Sequence, residues 1–128
     1  MRILIDTHAF LWYITDDDQL GKDAEKIISD GDNDVLLSVG SLWEIAIKHG
    51  LGKLTLEHPF GELMPRQLAV NNIEAFPITL PHLTAYVALP LHHRDPFDRL
   101  IIAQAQSENL PVVSKDAAFA DYDVDVRW

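Results

Sequence analysis

Four stretches place an acidic side chain where a helix should begin: ILIDTHAF, SLWEIAIK, HRDPFDRL and VVSKDAAF. The acids are Asp6, Glu44, Asp95 with Asp98, and Asp116. Each has a local explanation. Aspartate accepts hydrogen bonds from the free N–H groups of a helix start and lies at the positive end of the helix dipole; proline suits the first helical position. Asp95-Pro96 therefore reads as a helix start with Asp98 in its first turn. Ser41-Leu42-Trp43-Glu44 has the spacing of a capping box, in which Glu44 reaches back to the Ser41 N–H. Asp6 follows a short apolar run and can cap the helix after it, and Asp116 can cap a short helical turn.

The chemistry changes if these acids meet. Carboxylates packed within a few ångströms disfavour one another's ionisation, so a cluster takes up protons or needs a cation between its members. The chain has no cysteine, and an oxygen-only donor set selects a hard ion, Mg²⁺ with Mn²⁺ as a substitute. One such ion makes hydroxide available at neutral pH, and a second at about 4 Å can stabilise a leaving oxygen at phosphorus, so the metal count is one or two. Arg94, Arg99 and Lys115 adjoin the acids in sequence and are candidate phosphate contacts.

Whether the acids converge depends on the elements that carry them. Apolar and β-branched runs predict strands over residues 2–5, 35–37, 75–78, 111–113 and 124–126. Between them, helices are expected over 7–14, 22–29, 42–49, 59–70, 81–88 and 96–107, the fifth capped by Thr79. Alternating strands and helices imply an α/β domain over residues 1–128: an open, mostly parallel five-stranded sheet with helices on both faces. In right-handed βα units the helix N-termini gather at the carboxyl edge of the sheet, where such folds bind ligands. Acids at helix starts would be brought together there.

Composition narrows the function. Ten Lys plus Arg against twenty Asp plus Glu give a formal charge of −10, the wrong sign for holding nucleic acid on a broad basic surface. A polyanionic ligand would need positive charge from a bound ion. A length of 128 residues with 48% hydrophobic content suits one core. The absence of cysteine excludes disulfides and thiolate metal sites. No apolar run approaches the ~20 residues of a membrane span, and the first one, Ile3 to Ile5, meets Asp6 at once. A cytoplasmic protein with no membrane partner is expected.

The remaining residues read more plainly. His92 and His93 are adjacent, without the spacing of a zinc pair, and suit a loop; His8 is a neighbour for Asp6. Trp12, Trp43, Phe97 and Phe119 lie in apolar patterns and suit a core or a subunit interface. No phosphate-binding glycine loop or nucleophile elbow is present. Asp6 with a lysine near the fourth strand would permit phosphoaspartyl chemistry, although His8 stands where phosphatases of the haloacid dehalogenase type carry a second aspartate.

ILIDTHAFLW, SLWEIAIKHGLGKL, HRDPFDRLIIAQA and VVSKDAAFADYDV, in this order over nearly the whole chain, resemble a PIN-domain ribonuclease, and more narrowly a VapC-type toxin of a type II toxin–antitoxin pair. The resemblance implies that Asp6, Glu44, Asp98 and Asp116 form the catalytic, metal-holding set, with Asp95 an additional candidate and Asp121, Asp123 and Asp125 alternatives for the fourth position. It also implies Mg²⁺-dependent endonucleolytic cleavage of single-stranded or looped RNA, a homodimer, and a small antitoxin that presents Arg or Lys to the acidic pocket. Two other classes stay open: a non-catalytic PIN-like module that binds RNA or protein, and a metal-dependent phosphatase or phosphotransferase.

Overall fold

Successive side chains of a strand point to opposite faces, so a strand buried on both sides reads as a continuous apolar run. A computed structural model describes residues 1–128. Its strands are β1 (Arg2–Ile5), β2 (Asp34–Ser38), β3 (Ile73–Phe76), β4 (Val112–Val113) and β5 (Val126–Arg127). Ile3 and Ile5 of β1 enter one apolar layer with Val35 and Leu37 of β2 and Val113 of β4. Leu4, Leu36 and Val112 enter the other. Each such fully buried aliphatic side chain contributes roughly 1.5–3 kcal/mol.

The sheet order is β3-β2-β1-β4-β5 and every pairing is parallel, so the mostly parallel sheet expected from the sequence is wholly parallel. Six helices cover it: α1 (Thr7–Ile14), α2 (Lys22–Ser29), α3 (Val39–Gly50), α4 (Phe60–Val70), α5 (Leu80–Ala88) and α6 (Pro96–Glu108). Phe10 of α1, Ala24 and Ile28 of α2, Ile45 of α3, and Leu63 and Met64 of α4 pack on the Ile3 face. Ile101, Ile102 and Ala105 of α6, with Ala85 and Tyr86 of α5, pack on the Leu4 face. The chain lays strands to one side of β1 through β3, then crosses to the other side for β4. That reversal puts a switch point between the carboxyl ends of β1 and β4, the place where open α/β sheets bind ligands.

Most element ends fall within one residue of the sequence expectation, and the larger shifts are in β3, β5 and α3. β3 stops at Phe76 rather than reaching Ile78, because Pro77 has no N–H to donate to the ladder. β5 begins at Val126 rather than Val124, and pairs only with β4 at the sheet edge. The third shift matters more. α3 begins at Val39, with Ser38 Oγ accepting from the Gly40 N–H at 3.1 Å. Ser41 and Glu44 therefore lie inside the helix, and the capping box expected of them does not form.

Gly40 sets how closely α3 approaches α6. A Cβ at this position would lie 2.5 Å from Leu100 Cδ2, so the missing side chain is what lets α3 approach α6. Their approach brings the α3 face bearing Glu44 towards the start of α6, which bears Asp98.

Candidate metal centre

Asp6 ends β1 and caps α1. Its Oδ1 accepts from the Ala9 N–H at 2.7 Å, and its Oδ2 from the Ser114 hydroxyl at 2.6 Å. Ser114 follows β4, and its Oγ also accepts from the Asp116 N–H at 3.1 Å. One hydroxyl thus ties the ends of β1 and β4 together and places Asp116 beside Asp6. Asp116 Oδ1 accepts from the Ala118 N–H at 2.9 Å and starts a 3₁₀ turn, Ala117–Asp121.

Glu44 is buried in the second turn of α3. The Thr7 hydroxyl donates to its Oε1 at 2.7 Å and stands 2.9 Å from Ser41 Oγ; Lys48 Nζ donates to its Oε2 at 2.7 Å. Asp98 lies in the first turn of α6. Asp95 caps that helix, its Oδ1 accepting from the N–H groups of Phe97 at 2.9 Å and Asp98 at 3.2 Å. Asp98 Oδ2 is 3.0 Å from His93 Nε2.

The structure gathers these residues unequally. One donor atom each from His93, Asp98 and Asp116 lie within 4.8 Å of one another. Asp6 and Glu44 stand outside that tightest group but within its electrostatic reach. Burial pushes the Asp98 carboxyl up to about 6, reinforced by the charges of Asp95, Asp116 and Glu44 and opposed by the His93 hydrogen bond. Burial likewise raises Asp6, with a smaller push from Asp116, against the Ser114 and Ala9 hydrogen bonds and His8. Asp125 instead pairs with Arg127 at the start of β5, and Asp123 accepts from Gln106 through its carbonyl near the C-terminus of α6. Both sit towards the amino edge, Asp121 ends the 3₁₀ turn, and Asp116 is the acid grouped with Asp98.

A carboxyl raised in the folded state is protonated there at a pH where the unfolded chain has lost the proton. Its stabilising contribution is complete below the unfolded value of 3.8 and is lost as pH rises through about 6. Discounted for partial exposure, Asp98 alone should contribute about 1–2 kcal/mol to this loss. In EDTA, the melting temperature of the wild type relative to Asp98→Asn should fall as pH is raised from 4 to about 7. A flat difference would show that Asp98 titrates normally.

The basic residues expected at phosphates divide. Arg94 and Lys115 are exposed beside Asp95 and Asp116. Arg99 is a correction. It is 7% exposed, and Nη1 donates to the carbonyls of Pro90 at 3.0 Å and His93 at 3.3 Å and lies 3.2 Å from Tyr122 Oη, with the guanidinium over the Tyr86 ring. Its charge is turned onto the loop ahead of α6 and is engaged there. Among the aromatics, Phe119 is buried, whereas Trp43 is 61% exposed and meets Phe97 edge-on.

Sequence reasoning missed three positioning groups. Thr7 adjoins Asp6 and Ser114 stands two residues before Asp116 in the quoted motifs, and their short hydroxyls suited that role. His93 had no spacing signal, since only the path of the 89–95 loop turns it onto Asp98.

Comparisons with known proteins agree with this architecture. The family model described as "PIN domain" matches residues 3–125. Among solved structures, VapBC2 from Rickettsia felis, bound to a DNA fragment from its promoter, superposes with a TM-score of 0.75 at 16% identity, covering 99% of this chain and 98% of that one. FitAcB from Neisseria gonorrhoeae gives 0.64 at 19%, over 98% and 96%. VapBC-5 of Mycobacterium tuberculosis, from the VapBC family of toxin–antitoxin systems, gives 0.61 at 20%, over 98% and 95%. No curated protein matches.

Proposed function

The chain belongs to the PIN-domain family, and from that premise we propose that it is a Mg²⁺- or Mn²⁺-dependent endoribonuclease acting as the toxin of a toxin–antitoxin pair. The observation that supports this reading is the edge itself: Asp6, Glu44, Asp98 and Asp116 come from four separate elements near the switch point between β1 and β4, Asp98 and Asp116 in the tightest group and Asp6 and Glu44 within reach of their charge. The donor set fits a divalent cation. Its oxygens are hard, and Asp98 is held up to about 6 by burial and like charge, a condition that a cation between the acids relieves.

When bound, such an ion supplies positive charge for the phosphate and lowers the pKa of water so that hydroxide is available for attack at phosphorus. The protein supplies alignment. Ser114 and the Ala9 N–H fix both oxygens of Asp6, and Thr7 with Lys48 fixes both oxygens of Glu44. Asp116 is exposed and can face substrate. Arg94 and Lys115 meet the flanking phosphates of a single-stranded or looped RNA, at positions where unpaired bases leave the backbone accessible.

The expected result with purified protein is RNA cleavage that requires Mg²⁺ or Mn²⁺ and stops in EDTA. Glu44→Gln should keep the fold and lower the rate by about 10²-fold or more, since the neutral amide keeps the shape of the carboxylate while losing its charge. Co-expression with a small, basic-tailed antitoxin should suppress cleavage, because the fold neighbours are toxin–antitoxin complexes and an acidic edge attracts a basic segment. Cleavage that survives EDTA would refute the metal-dependent reading.

The same reading includes a homodimer. Val39, Trp43 and Ile47 of α3 are exposed, as are Leu80, Leu83 and Val87 of α5, and α6 packs against both helices. Apolar stripes of this kind are buried by association. Val87, 85% exposed, should be dispensable to the monomer. Sedimentation at micromolar concentration should find a dimer for the wild type and a monomer of unchanged helicity for Val87→Glu.

A further inference from the structure

An oxygen-only donor set omits the group nearest Asp98. His93 Nε2 lies 3.0 Å from Asp98 Oδ2, and the donor atoms of His93, Asp98 and Asp116 fall within 4.8 Å of one another. Ligands on adjacent corners of an octahedron with bonds of ~2.1 Å stand about 3 Å apart, and opposite ones about 4 Å. The observed spacings therefore need only small side-chain shifts to surround one ion.

The backbone of His93 is fixed from two sides. Its N–H donates to Tyr122 Oη at 3.0 Å, and its carbonyl accepts from Arg99, which also donates to the Pro90 carbonyl. A connection that only had to cross from α5 to α6 would gain little from a buried guanidinium, whose desolvation is costly. A metal ligand gains a great deal, because affinity depends on donors oriented before the ion arrives.

We propose that His93 is a nitrogen ligand of the metal centre and that it biases the centre towards Mn²⁺ over Mg²⁺. The proposal rests on the carboxylate reading of the site. Mg²⁺ is small, hard and slow to give up water, so it gains little from an imidazole. Mn²⁺ also accepts carboxylate and water, yet it binds mixed nitrogen and oxygen sets better. The nitrogen donor therefore selects between two ions that the carboxylates alone leave nearly equivalent.

The test uses the full chain with Mn²⁺ as the probe. Titration followed by loss of the free-ion EPR signal should show saturable binding, and pulsed EPR of the bound ion should show coupling to an imidazole nitrogen. His93→Gln should remove the coupling and weaken Mn²⁺ binding by about 10-fold or more, while Mg²⁺ affinity measured by calorimetry changes by less than about 3-fold. Saturable Mn²⁺ binding that Asp98→Asn abolishes but that lacks nitrogen coupling, or coupling that persists in His93→Gln, would overturn the His93 assignment alone. No saturable Mn²⁺ binding by the wild type would overturn the carboxylate site with it.

Discussion

Asp98→Asn should make the metal-free protein more stable and the metal-loaded one inactive. Asparagine is nearly isosteric, remains compatible with the first turn of α6, and can still meet His93. It removes a charge that burial and the carboxylates of Asp95, Asp116 and Glu44 all oppose. At pH 8 without metal the gain should be about 1 kcal/mol after the lost attraction to the helix dipole is subtracted, or a melting temperature higher by about 3–5 °C. The wild type should overtake the variant once Mn²⁺ is added, because only the wild type keeps the ligand that links binding to stability. RNA cleavage should fall by at least about 10³-fold, about 4 kcal/mol of transition-state stabilisation. Cleavage at the wild-type rate would remove Asp98 from the site, and a variant that fails to fold would assign it to the helix start alone.

Arg99→Leu should give the largest loss of stability. The leucine keeps part of the packing on Tyr86 but leaves the Pro90 and His93 carbonyls without their donor and Tyr122 Oη with the His93 N–H alone. Hydrogen bonds to a charged group and a cation held over an aromatic ring are each worth more than neutral surface contacts, so the loss should be about 2–4 kcal/mol, near 10 °C in melting temperature. Lysine should not rescue it, since a single ammonium cannot match the fork of donors. A phosphate-contacting arginine would behave in the opposite way, with unchanged melting temperature and weaker RNA binding. The melting curve separates the two roles.

That contrast shows where a linear reading succeeds. Asp6, Asp95 and Asp116 were readable because capping depends on near neighbours in the chain, and the strands at 2–5 and 35–37 because burial on both faces leaves an unbroken apolar run. Arg99 was misread because adjacency to an acid in sequence says nothing about which way a guanidinium turns. In the helix it points back to the loop that precedes it. Glu44 was placed among the site acids for a partly mistaken local reason. The supposed capping box hid a helix that begins at Val39 behind the Ser38 cap and packs Gly40 against Leu100, a tertiary contact with no sequence period. His93 needed the same kind of knowledge, the fold of a loop against Arg99 and Tyr122. Edge strands were shifted because little besides their single neighbour sets their ends.

The hydrogen bond from Ser114 to Asp6 joins residues 108 positions apart, and β1 gains its second neighbour only with β4. A ribosome making this chain from its N-terminus releases β1, α1 and α3 long before Ser114 exists. Until then Asp6 has no hydroxyl to orient it and no Asp116 beside it. On the proposed function, translation would act as a delay, since the acid set stays incomplete until residues beyond 113 have emerged and joined β4 to β1.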